Sequence, residues 1–242
     1  MPGCFPRQTI RQQQPGKPGS TFPHPRTIPI HPALSGTTRI HMTSASPDIA
    51  RLGGHTMGTT WQVTLVTAPS RDLHPLHAGI QAQLDTVVAQ MSTWEAASNI
   101  SRFNTAPAGT TLLLPEPFGH VLRAALDIAA RSGGAFDPTV GPLVALCGFG
   151  AHAHAQRAPD PETLTRTRAR CGWQRLVLDA HQLAQPGGQE LDLSAITKGF
   201  AVDAVSTWLR TQDIRAALVE VGGELDGYAT KPHGQPCRVL VG

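Results

Sequence analysis

The chain has 242 residues, a formal net charge of +3 and a sequence pI near 8.9, which is length enough for one large domain with a substantial core. The basic surplus sits at one end: residues 1–41 hold Arg7, Arg11, Lys17, Arg26 and Arg39 and no acid, so the remainder carries 15 basic against 17 acidic residues. That balance excludes nucleic-acid binding through bulk basicity, and no run of roughly 18 apolar residues is present to span a bilayer.

The same opening segment holds 8 of the 21 prolines and three consecutive glutamines, with little apolar periodicity. It reads as disordered, because it cannot bury enough apolar surface to offset its ordering entropy. It lacks the charged start and apolar run of a secretory signal, and Cys4 has no hydrophobic stretch before it to make a lipoprotein signal. Two readings of it stand: an organelle transit segment, or a misassigned start with Met42 as the first residue. Residues 1–50 are therefore taken as a leader and residues 51–242 as the folded domain. As written, the chain is expected in the cytoplasm; a different start would open a periplasmic or membrane-anchored location. The four cysteines, Cys4, Cys147, Cys171 and Cys237, show no C-x-x-C or zinc spacing and are expected as reduced thiols.

In chain order, Gly53–Thr60 looks at first like a phosphate-binding loop. The lysine that should follow the last glycine is missing, and a strand over Trp61–Val66 follows where a helix is required. Met57-Gly58 then reads as a turn, with Met57 either in the core or set against a flat ring. A helix follows, with Ile80, Leu84, Val87, Val88 and Met91 on one face. It leads into a polar and aromatic loop over Met91–Asn104. There Trp94 either stacks on a heterocycle or covers a helix end, and Arg102 meets a phosphate or caps a carbonyl. Pro117 suits the first turn of the next helix, and Gly133-Gly134 ends it. Ala135–Leu143 and Gly148–Gly150 form a Gly- and Pro-rich run with a strongly specified backbone, and Asp137 before Pro138 is held away from helix. His152 and His154 read as a solvated loop, there being no third metal ligand nearby. Asp160-Pro161 opens a further helix, Gln174–Asp179 reads as a strand, and so do Ala216–Val221 and Arg238–Val241, with Gly222-Gly223-Glu224 a turn.

The stretch from Glu190 to Asp203 stands out. A strand-like run bends into a Lys198-Gly199 pair that opens an amphipathic helix, whose face continues through Ala204, Val205, Trp208 and Leu209. Lys198 at a helix start reads either as a phosphate anchor, reinforced by free backbone N–H groups, or as a solvent-facing lysine. Gly199 keeps a side chain off any ligand approaching the backbone.

Taken together, the segments Met57-Gly58-Thr59-Thr60-Trp61, Met91–Asn104, Gly134–Leu143 with Gly148-Phe149-Gly150, Asp192–Asp203 and Val221-Gly222-Gly223-Glu224 resemble, in order, the motifs of the FAD:protein FMN transferases, the ApbE family. The resemblance covers about Leu52 to Gly242. It implies an α+β, two-lobed mixed fold that binds FAD in a cleft, uses Mg2+, and attaches FMN to a threonine hydroxyl of a target protein with release of AMP. The implied partner is a flavin-carrying acceptor, a subunit of a membrane redox complex. Carried over by position, Met57, Trp94, Ala135, Phe136, Asp137, Asp192 and Lys198 are expected FAD contacts, and Ala195 contributes to the metal site through its backbone carbonyl. Cys147 and Cys237 stand where many members carry tryptophan. The family's later motifs, with a His-Ile-x-Asp-Pro-like segment and further metal ligands, do not occur, so the domain is expected to be C-terminally incomplete. Two alternatives follow from that: a non-catalytic FAD-binding protein, or an FAD pyrophosphatase with water in place of the threonine.

Overall fold

The computed structural model describes residues 49–151 and 158–229. Leader residues 1–48 with Cys4, the His152/His154 pair, Cys237 and the Arg238–Val241 strand therefore lie outside the described residues, while Ile49 and Ala50 are strand. In chain order the elements are β1 (Ile49–Thr56), β2 (Thr59–Val66), α1 (His74–Met91), α2 (Asn99–Asn104), β3 (Thr111–Leu113), α3 (Glu116–Arg131), α4 (Gly141–Leu146), α5 (Pro161–Arg168), a 3-10 turn at Trp173–Arg175, β4 (Val177–Asp179), β5 (Gln182–Ala184), α6 (Ser194–Thr211), β6 (Ala217–Val221) and β7 (Glu224–Tyr228). The expected α+β class holds.

The larger sheet has the order β1-β2-β6-β7, antiparallel throughout. Period-2 alternation puts Trp61, Val63 and Leu65 of β2 and Ala217, Val219 and Val221 of β6 on one buried face. Both hairpins turn through two residues of positive φ, Met57 (48°) with Gly58 (70°), and Gly222 (55°) with Gly223 (97°). This is the sense of turn that matches strand twist. The two tips meet: Gly222 N–H donates to Thr60 O at 3.0 Å. A smaller sheet, β3-β5-β4, turns Leu112, Leu183 and Leu178 to the same side in one register row.

Helices α1 and α6 pack against each other and against the larger sheet. Their apolar stripes, Leu76, Ile80, Leu84, Val87 and Met91 on α1 and Ala201, Val202, Val205 and Leu209 on α6, are buried in one continuous core. The contact is close at one point, where a Cβ added to Gly79 would lie 2.0 Å from Trp208 Cζ2. Local signals hold at helix ends. Ser98 caps α2 by accepting from Ser101 N–H, and Asp160 caps α5 from Thr163 N–H. Past α3, Gly134 N–H reaches Ala129 O and Gly133 N–H reaches Ala130 O, both glycines at positive φ, which makes a Schellman stop.

Several expectations are corrected. The loop after α1 ends at Ser98, because its serine cap turns the rest into α2. The strand expected from Gln174 begins only at Val177, since Gly172 (φ 133°) starts a 3-10 turn before it. The strand-like run before α6 pairs with no strand among the described residues.

Candidate functional site

Helix α6 begins at Ser194, not at Lys198. Asp192 Oδ1 accepts from Ser194 N–H at 2.8 Å, and Leu193 O accepts from Ile196 N–H and Thr197 N–H. Lys198 therefore lies one turn inside the helix, where it no longer opposes the free N–H groups of the first turn. What the correction yields is a shared face. Ser194, Thr197 and Lys198 fall at i, i+3 and i+4 and point the same way.

That face forms one wall of a cleft of about 530 Å³. The other walls are the Met57-Gly58 hairpin tip, the last turn of α1 with Val87, Val88 and Met91, and the loop Ser92–Glu95. The loop is held from beneath: Ser98 Oγ and Ser101 Oγ both donate to Ser92 O, at 2.7 and 3.3 Å. Trp94 stands on this pinned loop with 76% of its surface exposed. It covers no helix end. Its ring is presented to solvent at the cleft, which is the arrangement a stacking platform requires. Lys198 forms no hydrogen bond or ion pair with any described residue. Its stem runs beside Gly222, where an added Cβ would lie 3.5 Å from Lys198 Cδ. One wall is thus apolar and aromatic, and the other carries a cation and the exposed Ser194 hydroxyl, the buried Thr197 hydroxyl being donated to Leu193 O at 2.8 Å.

A second, much smaller cavity shares Thr93 with the first and is lined by Asn104, Gly141, Phe149, Gly150, Glu190 and Asp192, among others. Asp192 belongs here. Its N–H donates to Pro138 O at 2.8 Å, which ties it to the Gly- and Pro-rich run. Gly141 lies so close to the segment before α6 that an added Cβ would come within 2.8 Å of Glu190 O. Ala135, Phe136 and Asp137 line neither cavity. Ala135 is exposed, Phe136 packs on the core, and Asp137 Oδ1 accepts from Thr139 N–H (2.8 Å) and Thr139 Oγ (2.6 Å). Thr139 Oγ in turn accepts from Gly172 N–H at 2.7 Å. Beside this network the Cys171 thiol titrates above its usual range, through burial first and the Asp137 charge second. Cys147 and Cys171 are free thiols. Arg102 is exposed and lines neither cavity.

Hence Met57, Trp94 and Lys198 are brought together, with Asp192 one step away across Thr93, while Ala135, Phe136 and Asp137 are not brought to either cavity. Ser194, Thr197, Val88 and Asn104 were not singled out from the sequence. The i, i+3, i+4 spacing would have found the first two, had the helix been started at Ser194.

Of the two hard-oxygen donors expected for a metal, the Asp192 carboxylate lines the smaller cavity, and Ala195, in the first turn of α6, lines neither cavity. Their chemistry suits magnesium. They do not make a cage: among the described residues no three His, Cys, Asp or Glu side chains converge.

The chain matches the ApbE family model over residues 57–242. It is 36% identical over 204 residues to the FAD:protein FMN transferase of Salmonella typhimurium, covering 82% of this chain and 58% of that protein. It is 34% identical over 192 residues to the FAD:protein FMN transferase of Vibrio cholerae, covering 78% and 58%. The apo crystal structure of the flavinyl transferase ApbE from Pseudomonas stutzeri superposes with a TM-score of 0.76 at 34% identity, over 80% of this chain and 65% of that one. The matched region spans less than two thirds of the length of these relatives.

Proposed function

The chain belongs to the ApbE family, and on that premise we propose that it binds FAD in the Met57–Trp94–Lys198 cleft and transfers FMN to a threonine hydroxyl of an acceptor protein, releasing AMP. The observation that carries the reading is the two-sided character of the cleft. FAD is a flat polarisable ring joined through a ribityl chain to a pyrophosphate and an adenosine. Trp94 and Met57 suit the ring, and the Lys198 ammonium, without a partner among the described residues and flanked by the Ser194 hydroxyl, suits the phosphates.

In the transfer, the threonine oxygen forms a bond to the FMN phosphorus as the phosphoanhydride bond breaks. AMP leaves with the bridging oxygen and its electron pair, and the hydroxyl proton passes to a base. Lys198 holds negative charge at the pyrophosphate, and the aromatic wall fixes the ring so that the phosphorus faces one direction. The proposed reaction is magnesium-dependent, with Ala195 O and Asp192 as the chain's donors; a bound ion would supply charge neutralisation at the phosphates. The proposed acceptor is a flavin-carrying subunit of a membrane redox complex.

The test is in-gel flavin fluorescence after incubating the chain with FAD and a threonine-bearing acceptor, with magnesium or with a chelator, then denaturing. A fluorescent acceptor band seen only with magnesium is the expected result. AMP with free FMN and no acceptor labelling would replace the reading with a pyrophosphatase. FAD binding without either product would replace it with a binding protein.

A further inference from the structure

Every second residue from Gln189 to Leu193 is buried, Gln189, Leu191 and Leu193 being 0% exposed, yet the segment pairs with no strand among the described residues. Buried backbone amides need partners, and here two side-chain carboxamides supply them. Asn104 Nδ2 donates to Leu191 O at 2.9 Å, and Asn104 Oδ1 accepts from Leu191 N–H at 2.7 Å. Gln185 Nε2 donates to Gln189 O at 3.1 Å, and Gln185 Oε1 accepts from Gln189 N–H at 3.3 Å. Each carboxamide offers the donor and acceptor that a residue of a neighbouring strand would offer, and the two grip residues two apart. This is why the sequence alternates like a strand although no strand forms.

The two clamps are not equivalent. Gln185, 1% exposed, also donates to Phe103 O at 2.9 Å and accepts from Gly187 N–H at 3.0 Å, so it is consumed within the fold. Asn104 is half-buried and lines the small cavity with Glu190 and Asp192. The residue it grips is the immediate neighbour of Asp192, whose Oδ1 in turn accepts from the Ser194 N–H that starts α6.

We propose that Asn104 is a positioning residue for the FAD cleft. By holding both polar groups of Leu191 it sets the direction of Asp192, and through Ser194 it sets the phase of the helical face carrying Ser194, Thr197 and Lys198. The proposal rests on the FAD reading for its ligand, but the pinning of the segment does not.

The test compares Asn104→Ala with Val121→Ala, a core truncation on α3 that serves as a stability-matched comparison. FAD affinity is measured by flavin fluorescence titration well below either melting temperature, and amide hydrogen exchange is followed over residues 189–198 without ligand. Loss of two hydrogen bonds that orient the site is expected to weaken FAD binding about tenfold in N104A and to quicken exchange at Asp192–Thr197. V121A should do neither. If N104A does not fold, Asn104→Asp, which keeps the acceptor for Leu191 N–H and loses the donor, carries the same expectation with a smaller effect. Equal FAD affinity and equal exchange in N104A and V121A would overturn the proposal and leave Asn104 a purely structural residue. A wild-type chain that binds no FAD would sink the FAD reading instead, and the exchange comparison would then decide whether Asn104 pins the segment.

Discussion

Lys198 runs beside Gly222 of the β6–β7 hairpin: a Cβ built on Gly222 would lie 3.5 Å from Lys198 Cδ and 2.8 Å from Thr59 Cγ2. The lysine stem passes the hairpin tip beside a residue that has no side chain, and its ammonium is left without a partner among the described residues. Replacing Lys198 by Met keeps the stem and removes the charge. A charge-assisted hydrogen bond contributes about 1.5–3 kcal/mol, so K198M should bind FAD roughly ten- to a hundredfold more weakly with little change in melting temperature. Isothermal titration calorimetry and thermal melts on one preparation check both. Unchanged affinity would remove Lys198 from the site.

Met57 occupies a left-handed conformation, φ 48°, in a two-residue turn where Gly, Asn or Asp is the usual occupant. That conformation costs a side-chain-bearing residue about 1–2 kcal/mol. The thioether it delivers into the cleft is the compensation. Met57→Gly is therefore expected to hold or raise the melting temperature while weakening FAD binding. Stability and affinity moving in opposite directions is the diagnostic result; a fall in both would mean that Met57 is mainly a core residue.

Gly79 sits inside α1, where alanine would ordinarily gain about 1 kcal/mol from helix propensity. Here the added methyl would lie 2.0 Å from the Trp208 ring of α6. Overpacking costs about 1–3 kcal/mol, so the sign reverses, and G79A should be destabilised in urea unfolding. A stabilised G79A would mean that Trp208 swings aside freely.

Asp160 provides an acid-sensitive helix end. The Thr163 backbone N–H and then its hydroxyl hold the Asp160 carboxyl below its ordinary 3.8. A value depressed in the folded state contributes stability in full above pH 3.8, and that contribution is lost as the pH falls through the lower folded-state value. Amide exchange at Thr163 and Leu164 should accelerate as the pH drops through that window, after correction for intrinsic rates. Asp160→Asn, which caps without titrating, should abolish the acceleration. The same pH response in D160N would assign it to another group.

What could be read from the sequence was what neighbours along the chain decide. The apolar stripe of α1, Pro117 in the first turn of α3, the double-glycine stop after it and the Asp160-Pro161 start all depend on residues within a few positions of each other. The family motifs likewise marked Met57, Trp94 and Lys198 one by one. The tertiary structure decided the rest. The partner of Leu191 is 87 residues away, at Asn104, so a run that alternates like a strand is held by carboxamides instead, and α6 starts four residues earlier than its Lys-Gly pair suggests. The cleft exists only because a hairpin tip, a helix end, a serine-pinned loop and one face of α6 meet. The physical reason is that hydrophobic burial is non-directional and sets which faces turn inward, whereas the direction of each polar side chain depends on hydrogen-bond partners that folding alone brings within reach.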